Sequence, residues 1–527
     1  MKIEIYDTTL RDGIQGCGVD FSQEDKLSVL HTLDHLGVTY IEVGMLTDED
    51  TAAFCETVAA EVLTCATPVV FGQTCRPGEH CPDNAALCAM ASCSLPVATI
   101  YGKSWLYQVE QVLHTTKDEN LRMIRDTIVF LKQAGKQVFF DAEHFFDGYS
   151  DDAAYALDVV DTAFAAGADR VILCDTNGGM LPDTIGLVTK AVADRFGGGR
   201  LGIHCHNDMG MASACTVSAV LSGVCQIQGT ISGFGERCGN ANLNTLIPVL
   251  QLKLGFDCIG EKLPRLTACA RQINERANRA FNENEPFVGG YAFTHKAGTH
   301  IDGVTKSPRS FEHMDPATVG NRRNIVISSL SGRAALADKM RAYLPDPEAL
   351  TKDSPRLLEL SRILKERESL GYDYEDAAAS LALLIEEVLN QRKRYFDLLH
   401  FKVMVENQPL SAHTAVEDMS AIATIKIAVG GREELTAGEG NGPVNAMDEA
   451  LRRALVRFYP QISQMRLSDY RVRVLNSGAT ASVVRVLIES TDGVEVWRTV
   501  GVSPDIITAS WQALRDSVEY MLSLSET

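Results

Sequence analysis

Short apolar runs alternate with longer amphipathic stretches through the first half of the chain. The apolar runs are rich in β-branched and aromatic residues. Turn residues separate each run from the amphipathic stretch that follows it. Such runs are typical of buried β-strands. There are eight of them: "IEIYDTT", "YIEVG", "PVVFG", "VATIYG", "VFFDAEH", "RVILCD", "LGIHCHND" and "QIQGTI".

The stretches between the runs have the periodicity of amphipathic helices. Two of them, "SQEDKLSVLHTLDHLG" and "ENLRMIRDTIVFLKQAG", end in glycine, which is common just past the end of a helix. A third, "SDDAAYALDVVDTAFAAGADR", repeats the pattern. Eight strands alternating with helices predict an α/β fold, a (β/α)8 TIM barrel over residues 1–265. A doubly wound sheet is the competing fold, but no G-x-G-x-x-G follows the first strand.

The pattern changes beyond the barrel. Residues 266–332 predict a linker subdomain with a helix and a loop rich in glycine and histidine, "FVGGYAFTHKAGTHIDGV". Residues 333–395 are mostly helical in pattern. Residues 396–527 alternate five strand-like runs with two helices, which predicts a separate α+β domain. The predicted architecture is therefore a barrel, a mainly helical linker region and a C-terminal α+β domain.

Charge and cysteine content restrict the partners and the compartment. The net charge of -20 argues against nucleic acid and against an anionic membrane surface as partners. The N-terminal residues lack the pattern of a signal peptide, and no apolar run reaches the roughly 20 residues that span a bilayer. The 14 cysteines contain no C-x-x-C pair. These features favour a cytoplasmic enzyme with reduced thiols.

Polar residues gather where the predicted strands end, which is where a TIM barrel builds its active site. His204 and His206 are two residues apart on strand seven, so both imidazoles face the same way. An isolated pair of this kind also fits an exposed edge strand. Here, however, Asp12 follows strand one and Asn240 follows strand eight. Two imidazoles, a carboxylate and an amide oxygen suit a divalent ion such as Mn, Mg, Co or Zn.

Two further residues at these strand ends have a chemical use. Arg11, beside the metal set, can polarise a carbonyl and bind an adjacent carboxylate, as a 2-oxo acid requires. The alternative is a salt bridge across the barrel mouth to Glu143 or Glu236. Thr176 can donate a hydrogen bond to a substrate carboxylate, and its alternative role is to cap a turn.

The motifs "DTTLRDG", "HCHND" and "GERCGNANL" resemble the metal-dependent acyltransferase and lyase barrels that include 2-isopropylmalate, homocitrate and citramalate synthases. The loop "FTHKAGTHIDGV" and the terminal "GEGNGPVNAMDEALRRAL" resemble the synthase branch only, so the resemblance covers essentially the whole chain. Several stretches resemble the citramalate synthase subgroup: "YGKSW", "DAEHFFDGY", "CDTNGGMLP", "VGNRRNIVISSLSGR" and "STDGVEVWRTVGVSPDIITASWQAL".

The resemblance implies a role for each matching residue. Arg11 would bind and polarise the 2-oxo acid, Thr176 would hold its carboxylate, and Glu143 would lie close to the reacting groups. In the loop "HKAGTHIDG", His300 matches the proposed catalytic base, whereas His295 supports the loop. Four residues would bind the metal: Asp12, His204, His206 and Asn240.

The resemblance also implies the reaction and the assembly. The subgroup condenses acetyl-CoA with pyruvate and hydrolyses the thioester, which gives (R)-citramalate and CoA in a threonine-independent route to isoleucine. The His300 loop would reach the active site of a second subunit, so a homodimer is expected. The C-terminal domain resembles a regulatory domain that binds an end-product amino acid, here isoleucine. Its "AGEGNGPVNA" turn could receive a carboxylate or could merely cap a helix.

Two departures leave the acceptor open. Ser307 and Phe311 stand where relatives commonly have Asn and Tyr, and the end of strand two, "EVGMLTDED", differs from the expected subgroup pattern. The alternatives with the same chemistry are 2-isopropylmalate synthase and homocitrate synthase. A metal-dependent retro-aldol lyase, a biotin-dependent carboxyltransferase and an amino-acid-binding regulator on an inactive barrel are further alternatives.

Overall fold

The computed structural model divides the chain into two compact units. The first contains Met1–Thr294 and Met314–Asn324, and the second contains His295–His313 and Ile325–Thr527. The structure describes residues 2–46, 49–296, 298–325, 333–341, 343–344, 350, 354–407, 419–475, 482–493 and 495–524.

The first unit is a closed parallel barrel, as the alternating pattern predicts. Its strands are paired in chain order, and the barrel closes where the first strand pairs with the eighth, with Ile5 opposite Ile227. The TIM-barrel fold is therefore confirmed. The eight barrel strands in the described residues are β1 (Glu4–Asp7), β2 (Tyr40–Met45), β3 (Thr67–Gln73), β4 (Val97–Lys103), β5 (Gln137–Glu143), β6 (Arg170–Asp175), β7 (Leu201–Cys205) and β8 (Gln226–Gly229).

Helices surround the barrel, and the first of them has its terminal backbone groups capped at both ends. Ser22 precedes this helix, and its side chain forms a reciprocal capping box with Asp25; Gly37 follows the helix in the left-handed conformation, with φ of 92°. The helices of this unit are α1 (Gln23–Leu36), α2 (Glu49–Ala60), α3 (Ala85–Ser92), α4 (Leu106–Gln111), α5 (Lys117–Gln133), α6 (Phe145–Asp151), α7 (Ala153–Ala165), α8 (Pro182–Phe196), α9 (Ala212–Leu221), α10 (Leu243–Pro248) and α11 (Leu266–Arg276).

The barrel interior is a packed core rather than a pore. Tyr6, Tyr40 and Phe139 meet there, with the rings of Tyr40 and Phe139 edge to face at 5.1 Å between centroids. A larger apolar layer lies between the strands and the helices, and it contains Ile5 and Ile227. Because the interior is filled, ligands have access at the strand ends.

The second unit combines helices with two three-stranded antiparallel sheets. The helices of the second unit in the described residues are α12 (Gly298–Lys306), α13 (Arg333–Arg341), α14 (Pro355–Ser369), α15 (Ala378–Val388), α16 (Pro443–Leu455) and α17 (Ile506–Leu524). A short strand pair consists of β9 (Thr294–His295) and β10 (Asn324–Ile325). One sheet has the strand order β11 (Asp397–Asn407), β12 (Met419–Val429), β13 (Arg432–Gly440), and the other has the order β14 (Arg466–Val474), β15 (Val484–Thr491), β16 (Val496–Ser503). Among the described helices, none combines the length and the apolar character needed to cross a bilayer.

Strand β13 was not predicted, because "REELTAGEG" lacks an apolar alternation. Its glycines are required by close packing against α16. A Cβ added at Gly438 would lie 2.5 Å from the backbone nitrogen of Ala450, and one added at Gly440 would lie 2.4 Å from Oδ1 of Asn445. The segment taken for a glycine-rich turn is therefore the end of a strand that lies directly on a helix.

Candidate metal centre and active site

Three potential metal ligands meet at the carboxyl end of the barrel. Asp12 follows β1, His204 lies on β7, and His206 is the residue directly after β7. One potential ligand atom from each of the three residues lies within 4.8 Å of the other two. Nε2 of His204 lies 3.5 Å from Oδ2 of Asp12 and 3.4 Å from Nε2 of His206. All three side chains are buried. Strand alternation thus brings both imidazoles to the same site, as the sequence predicts.

Asn240 joins this group through the loop after β8. A backbone bridge pairs Asn240 with His206, and Nδ2 of Asn240 donates to Oδ1 of Asp12 at 3.0 Å. Within the described residues, Oδ1 of Asn240 and Nδ1 of His206 are buried without any hydrogen-bond partner. Buried polar atoms are rarely left unpaired in native proteins. The unpaired amide oxygen of Asn240, beside two imidazoles and a carboxylate, fits a bound divalent ion with nitrogen and oxygen ligands.

A buried glutamine fixes the orientation of His204. Nδ1 of His204 donates to Oε1 of Gln228 at 2.9 Å, and Nε2 of Gln228 donates to Oδ1 of Asp141 at 3.2 Å. With its proton on Nδ1, His204 presents the lone pair of Nε2 to Asp12 and His206. Outer partners of this kind orient metal-binding histidines.

The ionisation of the three ligands also suits a metal. Burial lowers the pKa of His204 to about 3, with a further contribution from His206. Burial likewise lowers the pKa of His206. Burial opposes the charged form of Asp12, but Arg11 and the two histidines outweigh it and lower the pKa of Asp12 to about 2. At neutral pH the site therefore has two neutral imidazoles and one carboxylate, the forms that bind a cation.

Arg11 is held against this group by a buried glutamate. Its Nε lies 2.5 Å from Oε2 of Glu42 on β2, and its Nη1 donates to Oδ2 of Asp12 at 3.2 Å. The guanidinium also lies 3.9 Å above the centre of the Phe71 ring. Tyr6 donates to the other oxygen of Glu42 at 2.8 Å. Arg11 does form a salt bridge, as its alternative role expects, but its partner is Glu42 on the neighbouring strand rather than Glu143 or Glu236.

Glu143 and Thr176 lie at the ends of β5 and β6. Oε2 of Glu143 lies 2.5 Å from Nζ of Lys103 at the end of β4. Oγ1 of Thr176 accepts a hydrogen bond from the backbone N–H of His144 at 2.9 Å, which leaves the hydroxyl hydrogen able to donate. Nη2 of Arg237 donates to the carbonyl of Thr176 at 2.8 Å and fixes this turn from the loop after β8.

The second unit contains the remaining predicted residues. His300 lies on α12, is exposed, and stacks on the ring of Phe311 with centroids 4.4 Å apart. His295 is buried, and its Nε2 lies 3.2 Å from Oε1 of Glu312. The catalytic role of His300 stays a prediction.

Comparisons with known proteins identify the family. The chain is 45% identical to the (R)-citramalate synthase of Aquifex aeolicus over 528 residues, which is 100% of this chain and 98% of that protein. It is 43% identical to the (R)-citramalate synthase of Geobacter sulfurreducens, with 99% and 98% covered, and 43% identical to that of Synechocystis, with 99% and 96% covered. The chain belongs to the (R)-citramalate synthase family.

Family matches to separate regions agree with this membership. Residues 2–264 match the HMGL-like family, residues 287–347 match the homocitrate synthase post-HMGL domain-like family, and residues 375–522 match the LeuA allosteric (dimerisation) domain. The resemblance to citramalate synthases drawn from the motifs is therefore confirmed.

The sequence did not predict three polar residues that lie on the barrel strands of this citramalate synthase family member. They are Glu42, Lys103 and Gln228, and they contact Arg11, Glu143 and His204 respectively. Each was visible only as a polar residue in or at the end of a buried strand. A polar residue on a strand that is otherwise buried was the available signal, because such a residue requires a partner.

Proposed function

We propose that this protein is an (R)-citramalate synthase. It joins the methyl carbon of acetyl-CoA to the keto carbon of pyruvate and hydrolyses the thioester, which releases (R)-citramalate and CoA. The observation that carries the proposal is the buried group of Asp12, His204 and His206 with Arg11 in contact with it. The names of the full-length relatives support pyruvate as the acceptor.

The ligand set defines what a metal would contribute. A divalent ion, Mn, Mg, Co or Zn, held by Asp12, His204, His206 and Asn240 would polarise the keto carbonyl and offset the charge that develops on its oxygen. Gln228 keeps His204 in the tautomer that this requires.

Arg11 is positioned to bind the 2-oxo acid. Its Nε and Nη1 are engaged by Glu42 and Asp12, whereas no described side chain accepts a hydrogen bond from Nη2. This nitrogen is free to donate to a carboxylate or keto oxygen next to the metal ligands. The guanidinium remains charged because Glu42 and Asp12 raise its pKa against the effect of burial. A fixed cation at this point stabilises the developing oxyanion without reorganisation.

Thr176 and Glu143 complete the barrel side of the site. The hydroxyl of Thr176 accepts from a backbone N–H and so directs its own hydrogen to the substrate carboxylate. We assign Glu143 to orienting the reacting groups. Its ion pair with Lys103 holds its carboxylate at the end of β5.

We assign removal of the acetyl-CoA methyl proton to His300. A neutral imidazole has the basicity for this step near neutral pH. In the family pattern the base comes from a second subunit, so we propose a homodimer. The match of residues 375–522 to the LeuA allosteric (dimerisation) domain supports this assembly. Light scattering on the full-length protein should give twice the mass of 57.4 kDa.

We propose isoleucine as the effector of the C-terminal domain. The allosteric character of the matched domain supports an amino-acid ligand there, and isoleucine is the end product of the route that citramalate enters. Isoleucine should lower the rate of CoA release at subsaturating pyruvate, whereas an equal concentration of alanine should not. Equal rates with both amino acids would contradict the assignment. We place the enzyme in the cytoplasm, where acetyl-CoA is available and its free cysteines stay reduced.

The acceptor with two carboxylates is distinguished from pyruvate by its charge. 2-Oxoglutarate requires a cation for its distal carboxylate, and Lys103 at the end of β4 is already paired with Glu143. This favours an acceptor with one carboxylate.

A thiol-release assay with acetyl-CoA and Mn²⁺ tests the proposal directly. Pyruvate, 2-oxobutyrate, 2-oxoisovalerate and 2-oxoglutarate are offered in turn, and pyruvate should give the highest kcat/KM. A better rate with another acceptor would contradict the citramalate assignment. Absence of CoA release with all four would contradict a synthase.

A further inference from the structure

A cysteine and a lysine meet at the end of the barrel opposite the metal ligands. Cys65 lies between α2 and β3, and Lys262 lies in a short 3-10 helix, Gly260–Arg265, that follows the barrel. Nζ of Lys262 lies 2.5 Å from Sγ of Cys65. Hydrogen bonds from nitrogen to the smaller oxygen atom are already about 2.7–3.2 Å long. The two atoms are therefore in direct contact, with no space for solvent between them.

The turn that carries Cys65 is held by a buried carboxylate. Asp34 accepts hydrogen bonds from the backbone N–H groups of Thr64, Cys65 and Ala66 at 3.0, 2.8 and 2.8 Å. Burial opposes the charge of Asp34, but these hydrogen bonds outweigh it and lower its pKa to about 2. The position of Cys65 is therefore fixed by the fold and does not depend on the contact with Lys262.

Lys262 is fixed separately, through the end of α1. A Cβ added at Gly37 would lie 2.8 Å from Cδ of Lys262, so the lysine stem lies directly over this glycine. Nη1 of Arg265 donates to the carbonyl of His35 at 2.8 Å and ties the 3-10 helix to the same helix end. Both members of the pair are thus held by α1 and the residues that follow it.

The pair has the properties of a reactive thiol. Cys65 is exposed, and it borders a cavity of about 250 Å³ that is also lined by Lys2, Asp257 and Lys262. The hydrogen bond from Lys262 lowers the pKa of Cys65, and the hydrogen bond from Thr64 lowers it further by a smaller amount. A solvent-accessible thiolate beside a cation is the form of cysteine that peroxides oxidise most readily.

We propose that Cys65 and Lys262 form an oxidative crosslinking site, at which hydrogen peroxide produces a covalent Sγ–Nζ bond. In the first step the thiolate attacks a peroxide oxygen, and the O–O bond breaks. Sulfur loses two electrons and becomes a sulfenic acid, while peroxide gains two electrons and leaves as hydroxide, which takes a proton to form water. The ammonium of Lys262 supplies that proton and becomes a neutral amine. In the second step this amine attacks Sγ, so that the Sγ–Nζ bond forms and the S–O bond breaks, and the sulfenic oxygen leaves as hydroxide, which takes the proton released from Nζ to form water.

The crosslink would join residues 197 positions apart in sequence. Lys2 and Cys65, which line the cavity, precede β1 and β3, so the bond lies at the amino end of the strands, away from Asp12 and His204. Closing so long a loop should raise the midpoint of thermal unfolding and leave the catalytic groups in place. The proposal does not depend on the function proposed above.

Peptide mapping of the full-length protein tests it. After treatment with hydrogen peroxide and tryptic digestion, the peptides with Cys65 and Lys262 should be joined, with a mass about 2 Da below their sum, and dithiothreitol should separate them. Lys262→Arg keeps the positive charge but lacks the amine nucleophile, so its Cys65 should end as sulfinic acid. Cys17→Ser removes another exposed cysteine and should keep the crosslink.

Three outcomes would overturn the proposal. Cys65 could remain reduced in the wild-type protein, could end as sulfinic acid without joining Lys262, or could pair with another cysteine as a disulfide. Crosslinked wild-type protein should also melt at a higher temperature than its reduced form, and peroxide should give Lys262→Arg no such increase.

Discussion

The substitution Gln228→Leu separates the role of the metal ligands from that of their support. In the wild-type protein, Oε1 of Gln228 accepts the Nδ1 proton of His204 at 2.9 Å and leaves Nε2 with a lone pair. Leucine fills a similar volume but accepts no hydrogen bond. The proton of His204 can then move to Nε2, where Asp12 lies 3.5 Å away as an alternative acceptor. This tautomer cannot bind a metal through Nε2.

The expected loss follows from the known strength of such support. Removing an outer partner of a metal-binding histidine typically weakens metal affinity by about 10–100-fold, or about 1.4–2.7 kcal/mol. Competition for Mn²⁺ between the purified protein and a chromogenic chelator at neutral pH measures this change directly. We expect the dissociation constant to rise by at least tenfold.

Gln226→Leu is the matched control. Gln226 lies on the same strand and the same face, is equally buried, and donates to Oε2 of Glu4 at 3.1 Å rather than to a metal ligand. Its loss should leave the metal dissociation constant within twofold, whereas both variants should lose some thermal stability. An unchanged affinity in Gln228→Leu, or an equal loss in both variants, would refute the reasoning.

Three further substitutions test other parts of the structure. Glu42→Gln removes the charge that balances buried Arg11, so it should lower the free energy of unfolding, measured by urea titration, by about 3 kcal/mol. An unchanged free energy of unfolding would show that the ion pair is not stabilising. Asp34→Asn should cost about 1–2 kcal/mol at pH 7. The folded pKa of Asp34 is lowered to about 2, so its contribution is present above about pH 4 and is lost as the pH falls towards 2; a difference from wild type that persists at pH 2 would contradict this. Gly438→Ala places a Cβ 2.5 Å from a backbone nitrogen, so the overpacking should destabilise the protein by about 1–3 kcal/mol and lower its thermal midpoint. Gly442→Ala is the control: a Cβ there meets nothing within 4 Å, and the thermal midpoint should not fall.

The sequence predicts the barrel and its metal ligands well because both depend on local patterns. Strand composition and helix periodicity define the (β/α)8 order, and the two-residue spacing of His204 and His206 places both on one side of β7. Asp12 and Asn240 could be added because strand ends of a barrel meet at one rim.

The partners of these residues could not be predicted in the same way. Gln228 contacts His204 across a strand pair, and Glu42 contacts Arg11 from β2, at a separation of 31 residues. Which polar side chains meet inside a barrel depends on the register between strands. Neither composition nor periodicity specifies that register, so Arg11 was given the wrong partner.

Strand β13 was missed for a different reason. Its residues lack apolar alternation, and its glycines were taken for a turn. The close approach of α16 to Gly438 and Gly440 explains them, and this tertiary contact has no local signature in the sequence.

The central claim is that the buried group of Asp12, His204 and His206 holds the ion that activates pyruvate. Its most direct test is the metal dependence of CoA release from acetyl-CoA and pyruvate, measured on chelator-treated wild-type protein and on His204→Ala. Wild-type activity should be lost on chelation and restored by Mn²⁺, while His204→Ala should stay folded by circular dichroism and inactive at every metal concentration. Full activity of His204→Ala, or of chelated wild-type protein, would contradict the account.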